Sequence, residues 1–291
     1  MKPDTKQVLS VSRRTDIPAF YMPWFMQQLD RGYIEVVNPF NRQAKRVTVS
    51  PQRVHSMVFW SKNFGPFLDG EYGERLQDMG YHLFFNFTVN SHLPILEPGV
   101  PELSLRLDQL REICRRFGGA SVQWRFDPVC HFIGGSGGVD DNLADFESIA
   151  EVAGDSGVEC CITSFMDHYR KIDRRTGSDF TFVEPSTMTK KTILMDMQRR
   201  LAPMGIELSA CCEKKVLDDL PLGAGIRSGA CISARRIMAV HGGQVSARRD
   251  HGQRKTAGCG CSISTDVGSY SLHPCYHNCL FCYANPARDQ L

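Results

Sequence analysis

The chain of 291 residues predicts an α/β fold, a parallel sheet with covering helices, either open or closed into a partial or full (β/α) barrel. Three observations carry that expectation. Short apolar runs rich in β-branched and aromatic residues alternate with stretches of helical spacing, the pattern of repeated βα units. The runs end again and again in polar groups: Arg14 and Asp16, Lys62 and Asn63, Arg125 and Asp127, Asp167, Glu213. In barrel folds such strand ends build the site, although some of these charges are expected to be plain strand-end salt bridges. Finally, 42% apolar and 23% charged residues over this length suit a soluble domain with a sizeable core.

The elements follow in order. Val8 to Ser12 alternates apolar and small polar residues and reads as a strand. A helix follows with Pro23 near its first turn and Trp24, Phe25 and Leu29 on one face. Tyr33 to Val37 is a short strand ending at the turn-forming Asn38-Pro39, and Ser56 to Trp60 is a clearer one. Tyr81 to Val89 is too short for a typical helix and is aromatic-rich, which favours a buried strand. Ser104 is the expected cap of a helix carrying Leu107, Leu110, Ile113, Cys114 and Phe117, stopped by Gly118-Gly119. Val122 to Phe126 is the next strand, and Gly134 to Gly138 a surface loop. Asp141 is the expected cap of a helix ending at Gly154; Cys160 to Phe165 is a buried strand. Ser186 caps a helix through Arg200, and Ile206 to Ala210 makes a further strand. Ile263 to Tyr270 is the last strand expected.

After Glu213 the texture becomes Gly-rich and basic, so residues 1–213 form the expected barrel-like core. Residues 214–291 form a cysteine-rich segment that completes it. A formal charge of +2, from 34 basic and 32 acidic residues, supplies no general field for nucleic acid or membrane. The opening Met-Lys-Pro-Asp-Thr-Lys-Gln lacks an apolar signal region, and no stretch approaches the ~20 apolar residues of a membrane span. A cytoplasmic protein is expected. Twelve cysteines in a reducing compartment do not make a disulfide framework. Cys114, Cys130, Cys160 and Cys161 lie in apolar runs and read as small buried hydrophobes.

The remaining eight crowd the C-terminal third. Cys275, Cys279 and Cys282 stand at C-x3-C-x2-C within His273 to Pro286, flanked by Phe281 and Tyr283. Thiolates select zinc, Cu(I) or iron–sulfur clusters, and three are one short of the four that close a 4Fe–4S cluster. Either another ligand completes the set, with Cys261, His273 and His277 as candidates, or one iron is left open for chemistry. A second set, Cys212, Cys231, Cys259 and Cys261, has enough thiols for a four-thiolate site. Cys211 competes with Cys212 for a place in it, since neighbours on a strand point to opposite faces.

The stretch C-Y-H-N-C-L-F-C-Y-A-N resembles the cluster motif of radical S-adenosylmethionine enzymes, and in particular the G-C-x-H-x-C-x-Y-C-Y-A version of the spore photoproduct lyase group. T-D-I-P-A-F-Y at Thr15 to Tyr21, S-K-N at Ser61 to Asn63 and R-F-D-P at Arg125 to Pro128 are also similar to that group. Over nearly its full length the chain resembles the bacterial domain of unknown function 1848 family, which opens with S-x-S-R-R-T-D-I-P-A-F-Y and closes with C-G-C and C-x3-C-x2-C-Y-A. The resemblance implies a (β/α) barrel of the radical S-adenosylmethionine type. It implies one or two 4Fe–4S clusters, S-adenosyl-L-methionine, and a 5′-deoxyadenosyl radical acting on an unknown substrate. A ferredoxin or flavodoxin would supply electrons. Lys62, Arg125 and Asp127 become candidate catalytic residues, and Arg14 and Asp16 candidate cofactor contacts. Radical S-adenosylmethionine enzymes usually carry the motif after their first strand, whereas here it ends the chain. The expectation is a circular permutation that sets Ile263 to Tyr270 beside Val8 to Ser12, with the triad close to Asp16 and Lys62.

Two other readings stand beside this one. A non-catalytic iron–sulfur or zinc protein needs Cys261 or His277 to complete the C-terminal site. A nucleic-acid-binding protein would use the basic loop Arg248 to Lys255, and neither the charge balance nor any aromatic–basic stripe gives it support.

Overall fold

The computed structural model describes residues 5–38, 42–135, 137–169, 172, 175–176, 179–252, 254 and 256–284. The expectations for Pro39, Ser136, Lys255 and Pro286 fall outside that set. In chain order the strands are β1 (Gln7–Val11), β2 (Tyr33–Val37), β3 (Ala44–Thr48), β4 (Val54–Ser61), β5 (His82–Thr88), β6 (Val122–Val129), β7 (His131–Ile133), β8 (Val139–Asp141), β9 (Cys160–Phe165), β10 (Thr181–Val183), β11 (Glu207–Ala210), β12 (Arg227–Ser228) and β13 (Thr265–Asp266).

Eight of these form one sheet in the order β12-β11-β9-β6-β5-β4-β1-β13, and all neighbours are parallel. From β1 to β12 each new strand is added at the same edge. β13 is made last and joins the opposite edge, pairing Leu9 with Thr265 and Ser10 with Asp266. A sheet wound in one direction has no switch in strand order, so right-handed crossovers send the covering helices to one face. The sheet has two edges, β12 and β13, which exchange no ladder bonds among the described residues. Closure into a full barrel is therefore not observed. The short strands β2 and β3 form a separate hairpin, and β7, β8 and β10 a three-stranded flap.

Period-two alternation divides the side chains between the two faces. Leu9, Phe59, Phe85 and Trp124 enter the main core with Leu110, Ile149 and Leu194 of the covering helices. Val8, Val58 and Phe84 face the other way and meet Ile232, Ile237 and Val245. Cys160 and Ile162 meet Cys211, Cys231, Cys259 and Cys261. The C-terminal third thus fills the face that the helices leave open. The four cysteines read as core residues are all buried.

Helix starts were the least legible boundaries. The helix Leu103–Phe117 begins one residue before Ser104 and has Glu102 at its N-cap. Asp141 ends β8, and the next helix, Phe146–Asp155, has Asp145 at its N-cap. Ser186 does cap Thr187–Leu201, accepting a hydrogen bond from the Thr189 amide. The last strand is shorter than Ile263 to Tyr270, spanning Thr265–Asp266 only. No helix among the described residues is long and apolar enough to cross a membrane.

Candidate functional site

Two segments from opposite ends of the chain meet at the C-terminal rim of the sheet. Asp266, on β13, accepts hydrogen bonds from Ser10 Oγ (2.9 Å), Ser12 Oγ (2.6 Å) and the Arg13 amide (2.8 Å). This fixes the loop after β13, which runs into the C-x3-C-x2-C motif. The motif then lies on the short helix Ile17–Phe20. Phe20 packs on His277 with ring centroids 4.8 Å apart, Trp24 packs on His273 at 4.1 Å, and the Tyr21 hydroxyl donates to the Pro274 carbonyl. Asp16 is the centre of this seat. Its Oδ1 accepts from the Ala19 amide; its Oδ2 lies within 2.9 Å of Ser61 Oγ, the Lys62 amide and His277 Nε2.

His277 Nδ1 stands 3.0 Å from the Gly99 carbonyl, and the Gly99 amide donates to the His277 carbonyl. Both ring nitrogens are engaged, so His277 has none left for a metal in this arrangement. A Cβ on Gly99 would lie 2.4 Å from the Tyr276 carbonyl oxygen and 2.9 Å from His277 Cα, both backbone atoms. Gly99→Ala is expected to push the motif off its seat and to cost about 1–3 kcal/mol, read by urea denaturation. An unchanged midpoint would show that the motif does not rest there.

Behind the motif lies an ion pair that the sequence reading did not find. Lys62 Nζ is 2.5 Å from Glu97 Oε1, and its ammonium sits 5.3 Å from the Phe281 ring centroid. Cys279 Sγ is 4.0 Å from the same Glu97 oxygen, and Asn90 Nδ2 donates to it. Burial works against the charge on Lys62, but Glu97 and then Cys279 outweigh it and hold its pKa above the usual lysine value. Burial raises the Cys279 thiol well above its ordinary range and pushes Cys275 up to about 12. A cation bound here has to displace those protons.

The second cysteine group is built by three backbone segments that converge beyond the ends of β9 and β11. The Cys211 amide donates to the Thr163 carbonyl, and the Gly229 amide to the Ala210 carbonyl. A Cβ on Gly229 would lie 3.0 Å from Cys211 N, and one on Gly260 would lie 2.9 Å from the Gly229 carbonyl oxygen. Only bare backbone fits that closely, which explains the glycine between Cys259 and Cys261. Asn86 Nδ2 and Gln123 Nε2, pointing inward from β5 and β6, hold the Cys231 carbonyl.

Cys211 and Cys212 were expected to exclude each other, and they do not. β11 ends at Ala210, and Cys212 has φ +63°, so strand alternation has stopped before the pair. Their sulfurs are 3.7 Å apart. Hydrogen bonding to Cys212, opposed by Cys231 and joined by Cys259 and burial, raises Cys211 well above its ordinary range, and contact with Cys211 is also the main influence pushing Cys231 up to about 12. Thiols this close cannot all ionise without a cation.

Between the two cysteine groups is a cavity of about 250 Å³. Strand ends supply much of its wall: Ser12 after β1, Trp60 and Lys62 at β4, Thr88 at β5, Arg125 and Asp127 on β6, Ser164 on β9. Phe281, Cys282 and Tyr283 form one side, and Cys211, Cys212, Cys231, Cys259 and Cys261 another. Arg13 and Arg125 both lie over the Trp60 ring, at 5.4 and 5.0 Å. Arg125 also pairs with Asp127, which accepts from the Ser164 hydroxyl.

A family model matches residues 8–284. The chain belongs to the DUF1848 family, a domain of unknown function. No curated protein matches it. In this DUF1848 chain the matched span takes in both cysteine groups and every cavity residue named above. Lys62, Arg125 and Asp127 line the cavity together; so do the second-group cysteines Cys212, Cys231, Cys259 and Cys261, and Cys282 of the triad. Asp16 is buried behind the motif, with both oxygens occupied by protein donors. Arg14 turns away, donating to the Gly268 carbonyl (3.0 Å), and the cation that reaches the cavity is its neighbour Arg13. Arg13 and Glu97 went unread: Arg13 lies in a bend past the end of β1 at Val11, where alternation gives no guide, and Glu97 sits in a loop between prolines. Arg254 pairs with Asp167, so that part of the basic run is engaged by the protein itself.

Proposed function

We propose that this DUF1848 chain is an iron–sulfur enzyme of the radical S-adenosylmethionine type, acting on a substrate in the strand-end cavity. The observation that carries the reading is the placement of the triad. The strand before it pairs with β1, and its last cysteine opens on the cavity. A circularly permuted chain order would bring the motif to this position in a singly wound (β/α) scaffold, which supports the reading. The donor set fits a cluster with one open iron. The three thiols share one short loop, and His277 is held by Asp16 and Gly99. Their sulfurs are not gathered as ligands of one ion would be: among the described residues only Cys211, Cys212 and Cys259 bring three ligand atoms within 4.8 Å of one another.

Cys275, Cys279 and Cys282 would hold a 4Fe–4S cluster, leaving one iron for the amino and carboxylate groups of S-adenosyl-L-methionine. When bound, that pair supplies a 5′-deoxyadenosyl radical for hydrogen abstraction. Lys62, kept cationic by Glu97, and the Arg125–Asp127 pair orient polar groups of cofactor and substrate. Phe281, buried beside Lys62, shields the centre from water. The reading requires a small electron donor, such as a ferredoxin or flavodoxin, as partner.

The test is anaerobic purification followed by metal and sulfide analysis, EPR of the reduced protein, and assay of S-adenosylmethionine cleavage. About four irons and four sulfides per chain are expected at the triad, with 5′-deoxyadenosine formed on reduction. Cys279→Ala should lose the iron, the EPR signal and the cleavage together. Zinc in place of iron at the triad would sink the proposal.

A further inference from the structure

The second cysteine group has dimensions of its own. Cys211 Sγ stands 3.7 Å from Cys212 Sγ and 3.9 Å from Cys231 Sγ, and Cys211, Cys212 and Cys259 all lie within 4.8 Å of one another. A tetrahedral zinc ion with Zn–S bonds of about 2.3 Å holds neighbouring sulfurs about 3.8 Å apart. Thiolates on separate irons of a cluster stand wider, because the cluster lies between them. We propose that Cys211, Cys212 and Cys259 hold a mononuclear zinc ion in the cavity wall, and that Cys231, whose sulfur lies against Cys211 but outside the 4.8 Å group, turns in as the fourth thiolate. This site is independent of the radical reading and goes beyond it.

Two further observations point the same way. Cys212 is in the left-handed region without being glycine, a conformation that L-residues rarely adopt, and its sulfur stands on the same side as that of Cys211. Such an outlier marks a place where something else compensates. The site also has its countercharge. Zinc with four thiolates is a dianion, and two guanidinium groups, shared with Asp127 and Asp250, stand against it. Arg125 Nη1 touches Cys231 Sγ, and Arg13 lies within electrostatic reach of Cys261 and Cys231. Arg13 Nη2 is buried with no hydrogen-bond partner among the described residues. Second-layer cations of this kind tune a metal site as much as its ligands do. A closed set of four thiolates makes the ion structural: it would pin together the three C-terminal segments that converge on the face of the sheet opposite the main core. Cys261, the fifth thiol, lies against Cys231 and Cys259 and is the competitor for the fourth corner, so its removal tests the assignment to Cys231.

The experiment uses the full chain, purified without oxygen, and its Cys275→Ala/Cys279→Ala/Cys282→Ala variant. About one zinc per chain, surrounded by four sulfurs at about 2.3 Å in the zinc X-ray absorption spectrum, is expected in both. Cys211→Ser/Cys259→Ser should lose that zinc, while Cys261→Ser keeps all four sulfurs. Iron and sulfide in place of zinc in the triple variant would overturn the proposal, and so would a zinc spectrum with nitrogen or oxygen neighbours. Three sulfurs in Cys261→Ser would overturn the ligand assignment. If the double variant does not fold, the spectrum of the native chain decides alone. Because the triple variant lacks the triad, failure here is distinguishable from failure of the radical reading.

Discussion

Asp16→Ala is expected to destabilise the chain by about 4 kcal/mol, near the cost of breaking a buried charge network by removing one member. The carboxylate is 5% exposed and accepts from the Ala19 amide, Ser61 Oγ, the Lys62 amide and His277 Nε2. Each donor left buried without an acceptor costs about 1–3 kcal/mol, moderated by water entering the space. Asp16→Asn should cost about half as much, because its amide group keeps one acceptor while turning two hydrogens toward donors. Urea denaturation gives the values. A cycle with His277→Ala should find a coupling of about 1–3 kcal/mol, the range for residues sharing a network. Additive effects would mean that the motif is not anchored through Asp16. The variant should also bind less iron at the triad, since the loop bearing Cys275 and Cys279 loses its tether to β4 and the first helix.

That tether shows what a sequence conveys and what it withholds. The βα alternation was legible because period-two apolar runs such as Val8 to Ser12 and Ser56 to Trp60 have one satisfactory environment, a sheet buried on both faces. The pairing of the last strand with β1 was legible from the rotated motif order and is present as Leu9 opposite Thr265. Closure was not legible, because ladder hydrogen bonds at the edges depend on segments as short as Arg227–Ser228 and Thr265–Asp266. Arg13 and Arg14 lie past β1, which ends at Val11, where strand parity no longer assigns a side; Arg13 reaches the cavity and Arg14 turns to Gly268. Cys211 and Cys212 were read through strand alternation, which holds only while the chain is extended. The left-handed Cys212 lies just past that limit.

Glu97→Gln is the second large effect, at about 3–4 kcal/mol, again the scale for orphaning a buried ion. Glu97 is 4% exposed on its side chain and Lys62 16%, so solvent screens little of the pair. Arg106 also draws on the Glu97 charge, its pKa lowered by burial and held up chiefly by that carboxylate. The variant therefore takes the counterion from Lys62 and the main one from Arg106, which keeps Asp145 and Glu102. Lys62→Met should cost less, about 2 kcal/mol, because Glu97 keeps Arg106 nearby and the Asn90 amide. The double variant should fall below the sum of the singles. The pH dependence gives a separate check. In the native chain the Lys62 pKa is raised, so the pair contributes fully below the usual lysine value of about 10.4 and is lost as pH rises through the higher folded value. With Glu97 neutralised, burial is the largest remaining influence on Lys62 and lowers its pKa. The unfolded chain then binds the proton more tightly, so the variant gains stability as pH climbs from neutrality toward 10.4. The gap between native and variant melting temperatures should narrow over that interval. A constant gap would mean that the Lys62–Glu97 pair does not carry the cost, and that Glu97 acts instead through the Asn90 amide.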